Sequence, residues 1–142
     1  MSEQRVVFDM STLVSAALRQ DSIPYQALMR AFCSFQICIS EETLGELKEV
    51  LTRDKFIRYL NREDSLLFIG LIEDKARLFR MDEQNWPGTA LHCRDPKDDK
   101  FLILAEECEA GTLVSSDEDL LVLHLWNGVR IVRPAEFLLE SA

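Results

Sequence analysis

The chain reads as an α/β protein in three layers, α/β/α, with a central parallel sheet of four to five strands, folded as one domain over residues 1–142. Three observations predict this. Short apolar runs alternate with longer segments of helical periodicity, the mark of parallel strands joined by crossover helices. Acids stand at the ends of two of the runs, in Val6-Val7-Phe8-Asp9 and in Leu113-Val114-Ser115-Ser116-Asp117. The stretch Arg94-Asp95-Pro96-Lys97-Asp98-Asp99-Lys100-Phe101 packs three carboxylates into five residues and runs directly into Leu102-Ile103-Leu104-Ala105.

The elements follow in order. Arg5 to Phe8 is a buried first strand, closed by Asp9. Ser11 and Thr12 offer hydroxyls to cap a helix through Leu13, Ala16, Ala17 and Leu18. Pro24 suits the first turn of a second helix through Tyr25, Leu28, Met29 and Phe32. Phe35 to Ile39, aromatic and β-branched, is the second strand. Ser40 caps a helix from Glu41 to Leu51, whose apolar stripe is Leu44, Leu47, Val50 and Leu51, with Glu46 bordering it.

Arg53 to Arg62 carries Arg53, Lys55, Arg58 and Arg62 against the single acid Asp54, with Phe56 and Tyr59 interleaved. Glu63 and Asp64 begin a long helix, with Leu66, Leu67, Ile69, Leu71, Ile72, Ala76 and Leu78 expected on its buried side. Leu78 to Met81 is a short strand, and Asp82 to Arg94 is a loop. Pro96 breaks regular structure, so a helix begins just after it, with Asp98 or Asp99 at its start, and runs to about Glu109. Thr112 to Val114 is a strand. Ser116 to Asp119 can form a capping box for a short helix through Leu123. Val129 to Val132 is the last strand, and Pro134 opens a terminal helix to Leu139.

Composition narrows the function. No apolar run approaches the roughly 20 residues of a membrane span, and no signal peptide is visible, so a cytoplasmic protein with no membrane partner is expected. Cys33, Cys38, Cys93 and Cys108 show neither zinc nor disulfide spacing and read as reduced, mostly buried thiols. With only His92 and His124, the chain is poor in the nitrogen ligands that a transition-metal site prefers. The net charge of −9 argues against a global field that attracts nucleic acid, yet suits carboxylates that hold a hard cation.

Asp9, Asp98 or Asp99, Asp117 and Asp119 fall at strand ends or helix starts, and Glu46 joins them from the helix after the second strand. Parallel strands deliver such residues to one edge of the sheet. Carboxylates gathered there repel one another, and Mg²⁺ or Mn²⁺ is the natural counter-charge. An acid cluster without a catalytic His or Cys points to metal-assisted hydrolysis. A helix cap is the plainer role for Asp98 or Asp99.

The ordered set of fragments resembles the PIN-domain family, in its toxin branch. The fragments are Val7-Phe8-Asp9 with Leu13-Val14-Ser15-Ala16, Leu44-Gly45-Glu46-Leu47 with Val50-Leu51 and Lys55-Phe56, Arg94-Asp95-Pro96 with Asp98-Asp99-Lys100-Phe101-Leu102, Leu113-Val114-Ser115 with Asp117 and Asp119-Leu120-Leu121, and Gly128-Val129-Arg130-Ile131 with Pro134 and Phe137-Leu138. The resemblance implies a PIN-like fold. It implies that Asp9, Glu46, Asp99 and Asp117 are catalytic and bind metal, with Asp119 as a further ligand and Ser11 and Asp98 as accessories. It implies Mg²⁺- or Mn²⁺-dependent cleavage of RNA phosphodiesters, homodimers or higher oligomers, and inhibition by a cognate antitoxin protein. Where the family commonly has Asp-Thr-Asn after the first strand, this chain has Asp9-Met10-Ser11. Ser11 donates one hydrogen bond but lacks the reach of the amide. The basic Arg53, Lys55, Arg58 and Arg62 are the candidates for RNA phosphates or an acidic partner. The alternative is a PIN-like module with weak or no catalysis that acts through protein contacts.

Overall fold

The computed structural model describes residues 4–80 and 99–141. Five strands form one sheet: β1 (Arg5–Phe8), β2 (Gln36–Ser40), β3 (Arg77–Phe79), β4 (Thr112–Val114) and β5 (Arg130–Val132). Their order across the sheet is β3-β2-β1-β4-β5, and every pairing is parallel. The register aligns Val7 with Cys38 on one side and Leu113 on the other. Leu113 in turn aligns with Ile131.

The layers follow from strand periodicity. Successive side chains of a strand point to opposite faces. Val6, Phe8, Ile37, Ile39, Val114 and Val132 therefore enter one hydrophobic cluster, while Val7, Cys38, Leu113 and Ile131 enter a second. On the first face pack α1 (Met10–Leu18), α2 (Ile23–Ser34), α3 (Glu41–Leu51), α5 (Arg62–Lys75) and α8 (Pro134–Glu140), through residues such as Leu13, Leu28, Leu47, Ile72 and Phe137. On the second pack α6 (Asp99–Glu107) and α7 (Glu118–Leu121), through Phe101, Leu102, Leu104 and Leu120. The short α4 (Asp54–Ile57) links α3 to α5. Leu28, Leu47, Leu102, Leu104 and Leu113 are fully buried, and each such side chain stabilises the fold by about 1.5–3 kcal/mol. The three-layer α/β/α architecture with a parallel sheet is as the sequence predicts.

Several local expectations are corrected. The second strand is Gln36–Ser40, displaced by one residue from its predicted span, and the third is Arg77–Phe79, beginning one residue earlier than predicted; Met81 lies outside the described residues. The cap of α1 is Asp9, not Ser11 or Thr12, and Asp9 accepts from the Thr12 amide. The cap of α7 is Asp117, which accepts from the Asp119 amide, rather than a box closed by Ser116. Each aspartate is in extended backbone just before its helix, from which its carboxylate reaches an amide two or three residues on. On α5, Leu66 and Leu67 are 63% and 68% exposed, and the buried stripe is Ser65, Phe68, Ile69 and Ile72. Leu78 is also exposed. Ser40 caps α3 as expected, accepting from the Thr43 amide. Cys38 and Cys108 are buried as expected, whereas Cys33 is exposed. The loop Asp82 to Arg94 with His92 and Cys93, and the residues Asp95, Pro96 and Asp98, lie outside the described residues.

Candidate active site

The sheet order places β1 at the centre. The chain runs outward from β1 through β2 to β3, then returns to the other side of β1 for β4 and β5. The switch lies between β1 and β4, and open α/β sheets bind ligands outside the carboxyl ends of strands at that point. Asp9 leaves β1 there and hydrogen-bonds the Val114 carbonyl through its own amide at 3.2 Å, which prolongs the ladder. Ser115 leaves β4 beside it.

Asp9 is 2% exposed. One carboxylate oxygen, Oδ2, accepts a 2.5 Å hydrogen bond from Ser115 Oγ, and Oδ1 accepts from the Thr12 amide at 3.0 Å. Ser11 Oγ reaches both oxygens only at 3.3–3.4 Å. Burial pushes the Asp9 pKa above its ordinary value; the hydrogen bonds from Ser115, Thr12 and Ser11 pull it back without cancelling the rise. Ser115 Oγ also accepts from the Asp117 amide at 2.9 Å. One buried hydroxyl thus fixes Asp9 and the backbone of Asp117 together. Asp117 in turn caps α7, its Oδ1 accepting from the Asp119 amide at 2.9 Å. Capping leaves room on each acid, since a carboxylate offers about four lone-pair sites.

A second pair joins α3 to α6. Asp99, 8% exposed, is the first residue of α6, which packs against β1, β2 and β4. Beside it, Lys100 Nζ lies 2.5 Å from Glu46 Oε1. The structure therefore brings Asp9 and Asp117 together through Ser115, and Glu46 against the neighbour of Asp99. Asp119, half-buried, lies in the first turn of α7. Ser115 and Lys100 carry both links, although neither has a role legible in the sequence. Their signal was position alone: a hydroxyl between a strand end and an acid, and a cation directly after one.

Among the described residues, no three His, Cys, Asp or Glu side chains converge closely enough to cage an ion by themselves. The donor set still fits a hard divalent cation. Mg²⁺ is commonly held by one or two carboxylates while waters and phosphate oxygens fill its other positions. Asp9 is a buried carboxylate opposed only by hydroxyl and amide donors, the environment in which a cation is the missing charge. His124 is not a candidate ligand, because its Nδ1 accepts from the Ile131 amide at 3.0 Å.

The basic candidates Arg53, Lys55, Arg58 and Arg62 are all exposed, on or beside α4 and at the start of α5. Arg53 pairs with Glu49 at 3.7 Å, and Lys55 Nζ stands 5.0 Å from the Phe56 ring centroid. Tyr59 is 66% exposed. A cleft of about 480 Å³ opens at the opposite edge of the sheet, lined by Arg5, Thr112, Arg130 and Glu140 among others. It is far in topology from the acids, and its arginines are engaged, Arg5 with the Cys108 carbonyl and Arg130 with Glu140. No described helix is long and apolar enough to cross a membrane.

Comparison with curated proteins gives no match. A chain in the crystal structure of VapBC2 from Rickettsia felis, bound to a DNA fragment from its promoter, is similar in fold, with a TM-score of 0.61 over 90% of this chain and 97% of that one. At 14% identity the likeness is one of fold alone. The model of the PIN domain matches residues 5–119, a span that runs from the first residue of β1 past Asp9, Glu46, Asp99 and Asp117 to Asp119. Family match and sheet topology agree, and the chain belongs to the PIN domain family.

Proposed function

We propose that the chain is a Mg²⁺- or Mn²⁺-dependent endoribonuclease, the toxin of a toxin–antitoxin pair, with Asp9, Glu46, Asp99 and Asp117 as its metal-binding acids and Asp119 as an accessory ligand. The observation that carries this reading is the buried Asp9 at the topological switch point, tied through Ser115 to Asp117. Family membership supports nuclease chemistry, and the fold shared with a chain of the VapBC2 complex supports an antitoxin partner. A bound cation would supply a water of lowered pKa and a positive charge facing the phosphoryl group. The chain's own part is positional. Ser115 hydrogen-bonds Asp9, Asp117 caps α7, and Asp99 is buried on α6, the helix that packs against β1, β2 and β4. RNA is held locally, with Arg53, Lys55, Arg58 and Arg62 as the candidate phosphate contacts, since the net charge of −9 repels it at long range.

The second reading, a PIN-like module with weak or no catalysis, is favoured by one observation. Ser11 meets Asp9 only at 3.3–3.4 Å, so the acid is steadied from that side by long bonds. Asp99→Asn separates the two readings. It keeps shape and removes one ligand charge. On the nuclease reading, Mn²⁺-dependent RNA cleavage falls by at least about a hundredfold, beyond the loss typical of an outer partner, while the circular dichroism spectrum is unchanged. Cleavage by the purified variant at the wild-type rate removes the catalytic assignment.

A further inference from the structure

Lys100 sits where a lysine is disfavoured twice over. Its side chain is only 12% exposed, although lysine is almost never buried without a partner. It also occupies the second position of α6, where the helix dipole presents its positive end and favours anions. Something must offset both costs. Its Nζ lies 2.5 Å from Glu46 Oε1, a contact spanning 54 positions in sequence, and 5.4 Å from the Phe101 ring centroid. The Glu46 side chain is 41% exposed, so the glutamate has room to swing while the lysine is held.

We propose that Lys100 is the tethered counter-charge of the acidic edge. It neutralises Glu46 in the metal-free protein, and a divalent cation must compete with it for that carboxylate. This rests on the metal-dependent reading above and concerns how that site is regulated. A divalent ion brings twice the charge of an ammonium and coordinates carboxylate oxygens directly, so it can displace Nζ from Oε1. Released from Glu46, Lys100 would be left one residue from Asp99 and could meet a phosphate oxygen as a point charge. Lys100 is a positioning residue in the metal-free state. Its consequence is a site that holds itself together without metal, at the cost of weaker metal affinity.

The test is Mn²⁺ binding by calorimetry, with no RNA present, on wild type, Lys100→Met, Lys100→Arg and the double variant Lys100→Met with Glu46→Gln. Methionine keeps the stem and removes the charge. Lys100→Met should bind Mn²⁺ about tenfold tighter, the scale expected when one competing unit charge is removed beside a ligand. Its melting temperature in metal-free buffer should fall, and added Mn²⁺ should restore it. Lys100→Arg should bind like wild type. In the Glu46→Gln background the gain should vanish, because the contested carboxylate is gone. If wild type binds Mn²⁺ and Lys100→Met binds with equal or lower affinity, the competition is refuted and the nuclease reading stands. If none of the four proteins binds Mn²⁺, the metal-dependent reading fails and takes this inference with it. If Lys100→Met does not fold, Lys100→Gln takes its place: Mn²⁺ affinity above that of wild type supports the competition, and equal or lower affinity overturns it.

Discussion

At the scale of single residues, Asp9 carries the clearest consequence of burial. Its folded-state pKa is raised, so between the ordinary value of 3.8 and the raised one the folded chain binds more protons than the unfolded chain. Stability contributed by this group is full below 3.8 and is lost as pH rises through the folded pKa. Asp9→Asn should therefore gain thermal stability on wild type at neutral pH in metal-free buffer. The gain should shrink as pH falls toward the ordinary value of 3.8, because the raised pKa favours the protonated acid. Thermal melts of both proteins across pH 4–8 check this, and a difference independent of pH would refute it. Asp9 itself was legible in the sequence because an acid after an apolar run is conspicuous. Ser115 was not, because a serine after a strand is common. Its importance comes from β1 and β4 being adjacent, a fact about residues 106 positions apart.

At the scale of elements, periodicity served the strands better than the long helix. A strand buried on both faces reads as a continuous apolar run, and β1, β4 and β5 are of that kind. Helix α5 has apolar residues almost all the way round, so the sequence did not show which side faces the sheet. The structure settles it: Ser65, Phe68, Ile69 and Ile72 are buried, spaced by three and four, and Leu66 and Leu67 face outward. The assignment has a quantitative outcome. Phe68→Ala should cost about 3–5 kcal/mol, as large-to-small core changes do. Leu66→Ser should change stability by less than about 0.5 kcal/mol, as surface changes do. Urea unfolding of the two variants reads both numbers, and comparable losses would place Leu66 in the core. The helix expected after Pro96 is present as α6, whose described residues begin at Asp99; Pro96 and Asp98 lie outside the described residues.

At the scale of the whole molecule, charge and the proposed function pull in opposite directions. A net charge of −9 disfavours RNA, but at physiological salt that field is largely screened beyond a Debye length of about 8–10 Å, so cations at the point of contact decide. The exposed Arg53, Lys55, Arg58 and Arg62 form the one basic run, so they are where an RNA-binding contribution outside the metal site should reside. Each phosphate neutralised by a cation releases counterions and steepens the fall of affinity with salt, by about 0.7 in the log–log slope per contact for single strands. Replacing all four by Gln in an Asp99→Asn background, where cleavage is suppressed, should weaken RNA binding and flatten its salt slope by up to about 3 if every one of them meets a phosphate. Arg53 is already paired with Glu49 and contributes least, since breaking that pair offsets part of its gain. Binding measured by fluorescence anisotropy from 50 to 300 mM salt gives the slope directly. An unchanged slope would make the run a solvated face and leave RNA capture to the acidic edge and its cation alone.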